Sequence, residues 1–345
     1  MVATNTLDVA RLYGADRYGT SKRVSTYERG TEQTVILASG DDAHFADALT
    51  ASSLSGLLGG APIVLTPTEW LAEDARAAIE DELGAVSVII VGDENAVSAA
   101  AENAVRAIST VTDVTRLGGA SRQATAELIN AELGAGRYST AIIARCDDFP
   151  DSLTISPWAA ATSSPIFLTS FDRATLDDAT KEALAAGGFN RIIVLGDENA
   201  TPAAVYEEAR SAAGLTDGQM LRIGGSDRYE TATLIAEFAT ATERPANEQL
   251  TWDKPAITRG DKHSDALTGG ALQGSTRSPI LLTQGGEVNP FSSALIQAQD
   301  GTISELRFFG DESAITLETT RGFITLLTYE EIGWKPDNSV AIPMP

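Results

Sequence analysis

Pairs of arginines that could bind an anion recur three times along the chain. Each pair has the same internal spacing, and successive pairs start 105 and 106 residues apart: Arg11 with Arg17, Arg116 with Arg122, and Arg222 with Arg228. A Gly-containing turn and an Asp or Ser in the N-cap position separate the two arginines, so each signature predicts a strand, a turn and a helix start. Guanidinium groups and helix N-terminal amides both suit carboxylate or phosphate. Two interpretations stay open: the arginines bind a ligand, or they pair with acids of the chain and lock modules together.

A repeated aspartate follows each arginine pair. Asp47, Asp151 and Asp265 stand in Asp-Ala-Leu or Asp-Ser-Leu, just after a predicted strand and at the start of a predicted helix. A carboxylate there stabilises the positive end of the helix, and the alternative is a ligand or metal role. The stretch from Gly40 to Asp47 is two residues longer than its counterparts. Three identical sites are therefore not expected.

Two further motifs recur in the same order in every repeat. Pro-Ile-x-Leu-Thr begins at Pro62, Pro165 and Pro279, and Gly-Asp-Glu begins at Gly92, Gly196 and Gly310. Gly-Asp-Glu follows an apolar strand, at the edge where open α/β sheets place ligands, although an ordinary turn explains it equally well. Neither Gly-x-Gly-x-x-Gly nor a Walker loop occurs, so no nucleotide cofactor is predicted.

The chain is poor in residues for nucleophilic or metal chemistry. His44 and His263 are its two histidines and Cys146 is its one cysteine. A repeated zinc site or a Ser-His-Asp set in every repeat is therefore excluded, and no Gly-x-Ser-x-Gly elbow is present. We predict a non-enzyme without catalytic residues, metal or cofactor.

Short apolar runs alternate with helical patterns through all three repeats. Such alternation predicts right-handed βαβ crossovers and doubly wound, mainly parallel sheets of the α/β class. The predicted modules span 7–110, 111–216 and 217–328, with a linker or tail over 329–345 and a surface loop insertion over 241–254. If each signature strand joins the sheet of the preceding repeat, the first strand closes onto the third, and the chain forms a pseudo-threefold ring.

The charge of the chain restricts its partners. The formal net charge is −23 and the sequence pI about 4.4. Nucleic acid and anionic membranes need clustered cations, so neither is expected as a partner. The apolar runs are too short to span a membrane. Residues 1–8 lack the basic and apolar regions of a signal peptide, so the protein is either cytosolic or begins after a removed signal.

Taken together, the motifs resemble the cell wall-binding repeat 2 family. The resemblance rests on Arg222–Tyr229, on Phe45-Ala-Asp-Ala-Leu49, on Ala61-Pro-Ile-Val-Leu-Thr66 and on Val91-Gly-Asp-Glu-Asn-Ala-Val-Ser98, and it covers about residues 10 to 325. Module two departs from the pattern with Ser121-Arg122-Gln123, and Cys146 stands where glycine is usual. We therefore expect module two to be the weakest binding site or purely structural.

The resemblance implies a fold, a location and a partner. The fold would be three Rossmann-like modules in a compact pseudo-threefold arrangement, in an extracellular protein on the surface of a Gram-positive cell. The partner would be an anionic wall polymer, teichoic-acid-like or a secondary polysaccharide, and further domains of a longer surface protein are expected. The ligand-binding residues it implies are the six arginines, the three aspartates, and Ile63, Ile166 and Ile280 from the Pro-Ile-x-Leu-Thr strands.

The leading functional hypothesis is a non-catalytic module that anchors a surface protein non-covalently to the wall. Three weak subsites on a repeating polymer would bind strongly together. The acidic surface opposes an anionic polymer, and local arginines or bridging divalent cations would have to overcome that repulsion. Two alternatives remain: a hydrolase of wall glycan or peptide that uses carboxylates such as Asp47 or Asp265, and a surface-layer scaffold without polymer affinity.

Overall fold

Three separate sheets of parallel strands organise residues 6–335, the part of the chain that the computed structural model describes. Modules one and two each hold a four-stranded sheet, and module three holds a five-stranded sheet. Every strand pairing in this part of the chain is parallel. The predicted class, α/β with three Rossmann-like modules, is confirmed.

The strands are short apolar runs because helices cover most of the sheet surface on both sides. The strand at Thr34–Ser39, for example, has five consecutive buried residues. In chain order the strands are β1 (Thr6–Leu12), β2 (Thr34–Ser39), β3 (Ile63–Thr66), β4 (Ser87–Val91), β5 (Asp113–Leu117), β6 (Thr140–Ala144), β7 (Ile166–Leu168), β8 (Arg191–Leu195), β9 (Met220–Ile223), β10 (Ala256–Arg259), β11 (Ile280–Thr283), β12 (Glu305–Phe309) and β13 (Glu331–Trp334).

Helices connect consecutive strands, and polar N-cap side chains start many of them. In chain order they are α1 (Arg17–Thr26), α2 (Phe45–Leu57), α3 (Glu73–Ala77), α4 (Ala99–Arg106), α5 (Arg122–Leu133), α6 (Pro150–Thr162), α7 (Asp178–Ala186), α8 (Ala203–Ala212), α9 (Arg228–Thr240), α10 (Gly269–Ser275), α11 (Pro290–Ala298) and α12 (Leu317–Ile324). Helix α3 is short and continues as a π-helical turn over Ala78–Glu82.

Each signature strand lies in the sheet of the preceding repeat. Strand β5 completes the order β3-β2-β4-β5, and β9 completes β7-β6-β8-β9. Strand β1, the first of the chain, pairs with β12 in the order β11-β10-β12-β1-β13, with Arg11 opposite Phe308. The conditional prediction of a closed ring therefore holds. The module boundaries drawn from the repeats stay a prediction, since one strand of each sheet comes from the next repeat along the ring.

The C-terminal part contains one strand that the sequence pattern did not predict. Strand β13 pairs with β1 through Thr6 opposite Glu331 to Val9 opposite Trp334, inside the segment predicted as a linker or tail. The strand has only four residues and none of them is fully buried, so the sequence there lacks the apolar run that marks the other strands. Residues 336–345, the rest of the predicted tail, lie outside the described residues.

Three helices, one from each module, pack against one another at the centre of the molecule. They are α2, α6 and α10. Small residues permit the close approach: a Cβ at Gly56 would lie 1.9 Å from the carbonyl oxygen of Ala160, and one at Gly270 would lie 2.3 Å from Ser156 Oγ. This centre, together with the closed order of sheets, gives the predicted compact pseudo-threefold arrangement.

The insertion predicted over 241–254 is a loop, as expected, and it packs against module two. Trp158 donates its indole Nε1–H to the carbonyl of Glu248 at 2.8 Å, and Arg277 donates to the carbonyl of Gln249 at 2.8 Å. Leu250 is buried within the same loop. The loop therefore ties module three to module two through Trp158.

Candidate functional site

The first arginine of each signature is bonded to the preceding repeat in the ring; Arg11 is buried, and Arg116 and Arg222 are half-buried. Each one ends a signature strand and donates to the carbonyl of the glycine that opens Gly-Asp-Glu: Arg11 to Gly310 at 3.2 Å, Arg116 to Gly92 at 2.8 Å, and Arg222 to Gly196 at 2.9 Å. Because the signature strand lies beside the strand that ends in that glycine, the contact joins consecutive repeats.

A further partner for each of these arginines comes from the helix after Gly-Asp-Glu. Arg11 donates to the hydroxyl of Thr320, Arg116 forms an ion pair with Glu102 at 2.7 Å, and Arg222 stacks on the ring of Tyr206. Burial lowers the pKa of Arg11 and of Arg222 from the usual arginine value. These contacts correspond to the structural interpretation of the first arginines, and ligand binding by them stays an untested prediction.

The repeated aspartates lie against the same glycines. A Cβ placed on Gly92, Gly196 or Gly310 would approach the Oδ2 atom of Asp47, Asp151 or Asp265 to 2.8, 3.0 and 2.9 Å respectively. Each glycine also has a positive φ, between 84° and 106°. The site therefore requires glycine for two reasons, backbone conformation and the close carboxyl group.

Burial controls the ionisation of these aspartates. Desolvation raises the pKa of Asp47 to about 7 and that of Asp151 to about 6, and it also raises the pKa of Asp265. Asp47 Oδ1 is buried without a hydrogen-bond partner in the structure. Stabilisation of a helix end predicts the opposite shift, so desolvation outweighs any helix-dipole effect here.

The acids of Gly-Asp-Glu form local turns. Asp93, Asp197 and Asp311 each accept hydrogen bonds from backbone amides two and three residues later, at 2.9 to 3.2 Å. Such Asx turns end the strand and lead into the next segment. This geometry explains the motif without a ligand.

The second arginines lie at the rim of the module junctions. Each begins a helix and donates to the carbonyl at the end of a neighbouring strand: Arg17 to Gly40, Arg122 to Cys146 and Arg228 to Gly260. Arg122 also donates to the carbonyl of Ala43 in module one at 2.8 Å, and Arg228 also donates to Asp148 in module two at 3.3 Å.

These arginines combine fixed positions with open surface. The side chains of Arg17 and Arg228 are 29% and 34% exposed, against 19% for the side chain of Arg116, and Arg11 is buried. A guanidinium has five N–H donors, and the contacts described here leave some of them unused. Among the six signature arginines they therefore combine a fixed position with more open surface than the buried Arg11.

An aromatic cluster occupies the centre of the same end of the molecule. Phe45, Phe149 and His263 each stand two positions before a repeated aspartate, and their ring centroids lie 5.1 to 6.3 Å apart. His263 is therefore the counterpart of the two phenylalanines and not of His44. The cleft above the cluster, of about 390 Å³, receives charged residues from all three modules: Arg17, Asp42, Asp147, Asp148, Asp261 and Lys262.

The isoleucines of the Pro-Ile-x-Leu-Thr strands lie in the sheet interiors. Ile63, Ile166 and Ile280 are all fully buried. A ligand on the surface cannot touch them, so the structure gives them a packing role. The ligand contact implied by the family resemblance is not available to these three side chains in this conformation.

Two arginines that the sequence argument did not select lie beside the predicted site. Arg145 forms a two-pronged ion pair with Asp147, and Arg259 forms the same pair with Asp261, at 2.6 to 2.8 Å. Both stand one residue before the position of Gly40, and module one has Ser39 there. The recurring Arg-x-Asp at this point was the signal that could have identified them.

Acidic residues at this face do not form a metal site within the part of the chain described. No group of three or more His, Cys, Asp or Glu side chains among residues 6–335 is arranged to hold a metal ion. The same residues contain no helix long and apolar enough to cross a membrane. The bridging-cation idea therefore lacks a preformed protein site among the described residues.

Comparison with known proteins decides the family. The sequence profile of the Cell wall binding domain 2 (CWB2) family matches residues 11–102, 116–206 and 222–320. The chain belongs to the CWB2 family. Each CWB2 match begins at the first arginine of a signature, which confirms the resemblance deduced from the motifs. A CWB2 domain is a cell wall binding domain, and this chain contains three of them in tandem.

Solved structures share the arrangement of the three CWB2 domains. Cwp6 from Clostridium difficile superposes with a TM-score of 0.79 at 24% identity, over 94% of this chain and 49% of that one. Cwp8 from the same organism gives 0.78 at 23%, over 93% and 52%. At such identities the likeness shows the fold alone.

Two curated relatives come from Bacillus subtilis. The chain is 25% identical over 308 residues to the N-acetylmuramoyl-L-alanine amidase LytC, and 28% identical over 309 residues to a protein named amidase enhancer. The matches cover 89% of this chain but only 56% and 39% of those proteins. The chain thus spans about half the length, or less, of these relatives.

Proposed function

We propose that the three CWB2 domains bind an anionic polymer of the cell wall through subsites at the module junctions, and thereby hold a surface protein on the outside of the cell. The observation that carries the proposal is the separation of the six signature arginines into two classes. The first arginine of each pair is bonded to the preceding repeat in the ring, and Arg11 is buried while Arg116 and Arg222 are half-buried. The second is fixed by a strand-end carbonyl with part of its guanidinium open.

Electrostatics supports the position of these subsites. The chain as a whole carries −23, so an anionic polymer is repelled except where cations are concentrated. Arg17, Arg122 and Arg228 lie at one end of the molecule, at the edges of the junctions. Each site alone would bind weakly, but a repeating polymer that touches several of them gains affinity through effective concentration.

The amidase name of one relative does not extend to this chain. The match covers little more than half of that protein. Among the described residues the buried aspartates lie against glycine residues, and burial is the largest cause of the raised pKa values of Asp47 and Asp151. Non-catalytic binding is therefore the function that the described geometry favours over hydrolysis.

The test is cosedimentation with isolated Gram-positive walls, before and after chemical removal of their secondary polymers. We expect the triple variant R17Q/R122Q/R228Q to lose wall binding at least tenfold and to keep its fold by circular dichroism. The matched control is R76Q/R106Q/R210Q, which removes the same charge from partly exposed arginines in helix-surface ion pairs. Equal loss in the control, or wild-type binding that survives polymer removal, would contradict the proposal.

A further inference from the structure

Phe171 is held out in solvent at the end of β7. Its side chain is 71% exposed, more than that of the other exposed large hydrophobic residues among residues 6–335. Single exposed hydrophobic residues are normal on protein surfaces, so exposure alone does not mark a binding site. The neighbourhood of Phe171 therefore decides its meaning.

The loop that carries Phe171 is ordered by its own hydrogen bonds. Ser170 N–H donates to the carbonyl of Thr175 at 2.8 Å, and the guanidinium of Arg173 donates to the carbonyl of Asn199 at 2.8 Å. Arg173 also adopts a positive φ of 61°, which is unfavourable for a residue with a side chain. Between the strand-end threonine and the next helix cap, this loop is two residues longer than those of modules one and three. The chain thus keeps the ring exposed in a defined position.

A fixed cation lies beside the exposed ring. The Cζ atom of Arg122 is 5.8 Å from the Phe171 ring centroid and 4.8 Å from that of buried Phe45. Hydrogen bonds to the carbonyls of Cys146 and Ala43 hold the guanidinium at the junction of modules one and two. Trp70, after the corresponding strand of module one, is 60% exposed, but within residues 6–335 no arginine stacks on it.

An open aromatic face and an adjacent arginine match a sugar ring that bears an acidic group. The face of an aromatic ring is electronegative and attracts the electropositive C–H bonds on the flat side of a pyranose. The guanidinium fork matches a carboxylate or phosphate on the same sugar. We propose that Phe171 and Arg122 form a stacking subsite for an acidic sugar residue of the wall polymer.

This subsite deepens the proposed function and rests on it. It specifies that the polymer contains sugar rings, because a chain of polyol phosphates has no flat ring to stack on Phe171. Contact with an apolar ring is insensitive to the negative charge of the protein, whereas the arginine contacts are weakened by that charge and by salt. The subsite also gives module two a direct binding role, in place of the weak or structural role expected from its altered signature.

The experiment compares F171A, F171W and L128A in binding to isolated walls and to two purified probes. The probes are the polysaccharide fraction released from those walls and a sugar-free poly(glycerol phosphate). Leu128 on α5 is a matched exposed hydrophobic residue, 41% exposed, and has no aromatic ring on which a sugar could stack. We expect F171A to bind walls and polysaccharide about tenfold more weakly, F171W to retain binding, and L128A to behave as wild type. The tenfold ratio should persist at about 0.5 M salt.

The outcomes separate the two proposals. If wild type binds walls and F171A binds equally well, the stacking subsite is wrong and the proposed function stands. If wild type binds the sugar-free probe as strongly as the polysaccharide, the sugar requirement is wrong. If wild type does not bind walls at all, the proposed function fails and the subsite fails with it.

Discussion

His263 Nε2 lies 3.7 Å from Asp42 Oδ1, and this contact joins the third module to the first. The corresponding residues at the centre of the ring are Phe45 and Phe149, so one of three equivalent positions carries a titratable ring. His263 Nδ1 is buried and has no hydrogen-bond partner in the structure. Burial lowers the pKa of His263, with Arg17 lowering it further, while Asp42 and Asp148 oppose the shift.

His263→Phe should stabilise the protein, most of all in acid. Because the folded pKa of His263 is depressed, the unfolded chain takes up a proton that the folded chain excludes as the pH falls below about 6.5. Phenylalanine removes this loss and also removes an unpaired buried nitrogen, which costs about 1 kcal/mol or more. Thermal midpoints at pH 5 and pH 8 test this, and an equal difference at both values would show that titration of His263 plays no part.

Arg11→Met should destabilise far more than Arg17→Met. Loss of the buried guanidinium leaves the carbonyls of Gly310 and Ile315 and the hydroxyl of Thr320 without their donor. We expect a decrease of about 3 kcal/mol in the free energy of unfolding, against less than about 1 kcal/mol at the partly exposed Arg17. Urea unfolding of both variants measures the two values. Similar losses would mean that the two arginine classes are not distinct.

Gly92→Ala should disrupt the strand end of module one. Gly92 has a φ of 103°, and an added Cβ would lie 2.6 Å from Ala96 Cβ and 2.8 Å from Asp47 Oδ2. We expect a loss of roughly 3 kcal/mol or more. Gly218→Ala is the control, since nothing lies within 4 Å of its added Cβ. The prediction fails if denaturant midpoints of the two variants coincide.

Asp47→Asn should gain stability over wild type as the pH rises. The folded pKa of Asp47, about 7, lies above its unfolded value near 3.9, so the folded state keeps a proton that the unfolded state releases. The free energy of unfolding of wild type therefore falls between pH 4 and pH 7, by up to about 4 kcal/mol, and asparagine has no such loss.

Asp151→Asn provides the comparison. The pKa of Asp151 is raised to about 6, so the pH range over which wild type loses stability relative to this variant should end near pH 6, about one unit lower than for Asp47. Thermal midpoints of both variants relative to wild type, measured from pH 4 to pH 8, locate these two pH ranges. A difference from wild type that stays constant over this range would exclude a raised pKa at Asp47.

The fold class could be predicted from the sequence because the same order of apolar runs and helical patterns occurs three times. Short apolar runs such as Val35 to Ala38, followed each time by a helical pattern, indicate buried parallel strands, and the observed strands at Thr34–Ser39, Thr140–Ala144 and Arg191–Leu195 are such runs. Strand β13 has no repeat counterpart and only partly buried residues. Its existence depends on the open edge of β1, which is a tertiary property.

The sequence could not predict which arginine of a pair is bonded to the neighbouring repeat and which is more exposed. Arg11 and Arg17 have the same chemistry, and each stands near a strand end or a helix start. Which of them is enclosed depends on the neighbouring repeat, since Gly310 and Thr320 reach Arg11 only after the ring has closed. Likewise, the contact of Arg122 with Phe171 joins the start of α5 to the loop after β7, and no local motif connects the two.

The exchange of strands between repeats restricts the number of copies that such a chain can contain. A single CWB2 repeat excised at its first arginine would lack the strand that the following repeat supplies to its sheet, as β5 does for β2 to β4. Deleting one repeat would remove one of the three central helices, α2, α6 or α10, and leave the other two without that packing partner. Gene duplication in this architecture therefore has a fixed end point, and an added or lost unit is expected to yield an intermolecular assembly or an unfolded chain instead of a longer or shorter version of the same molecule.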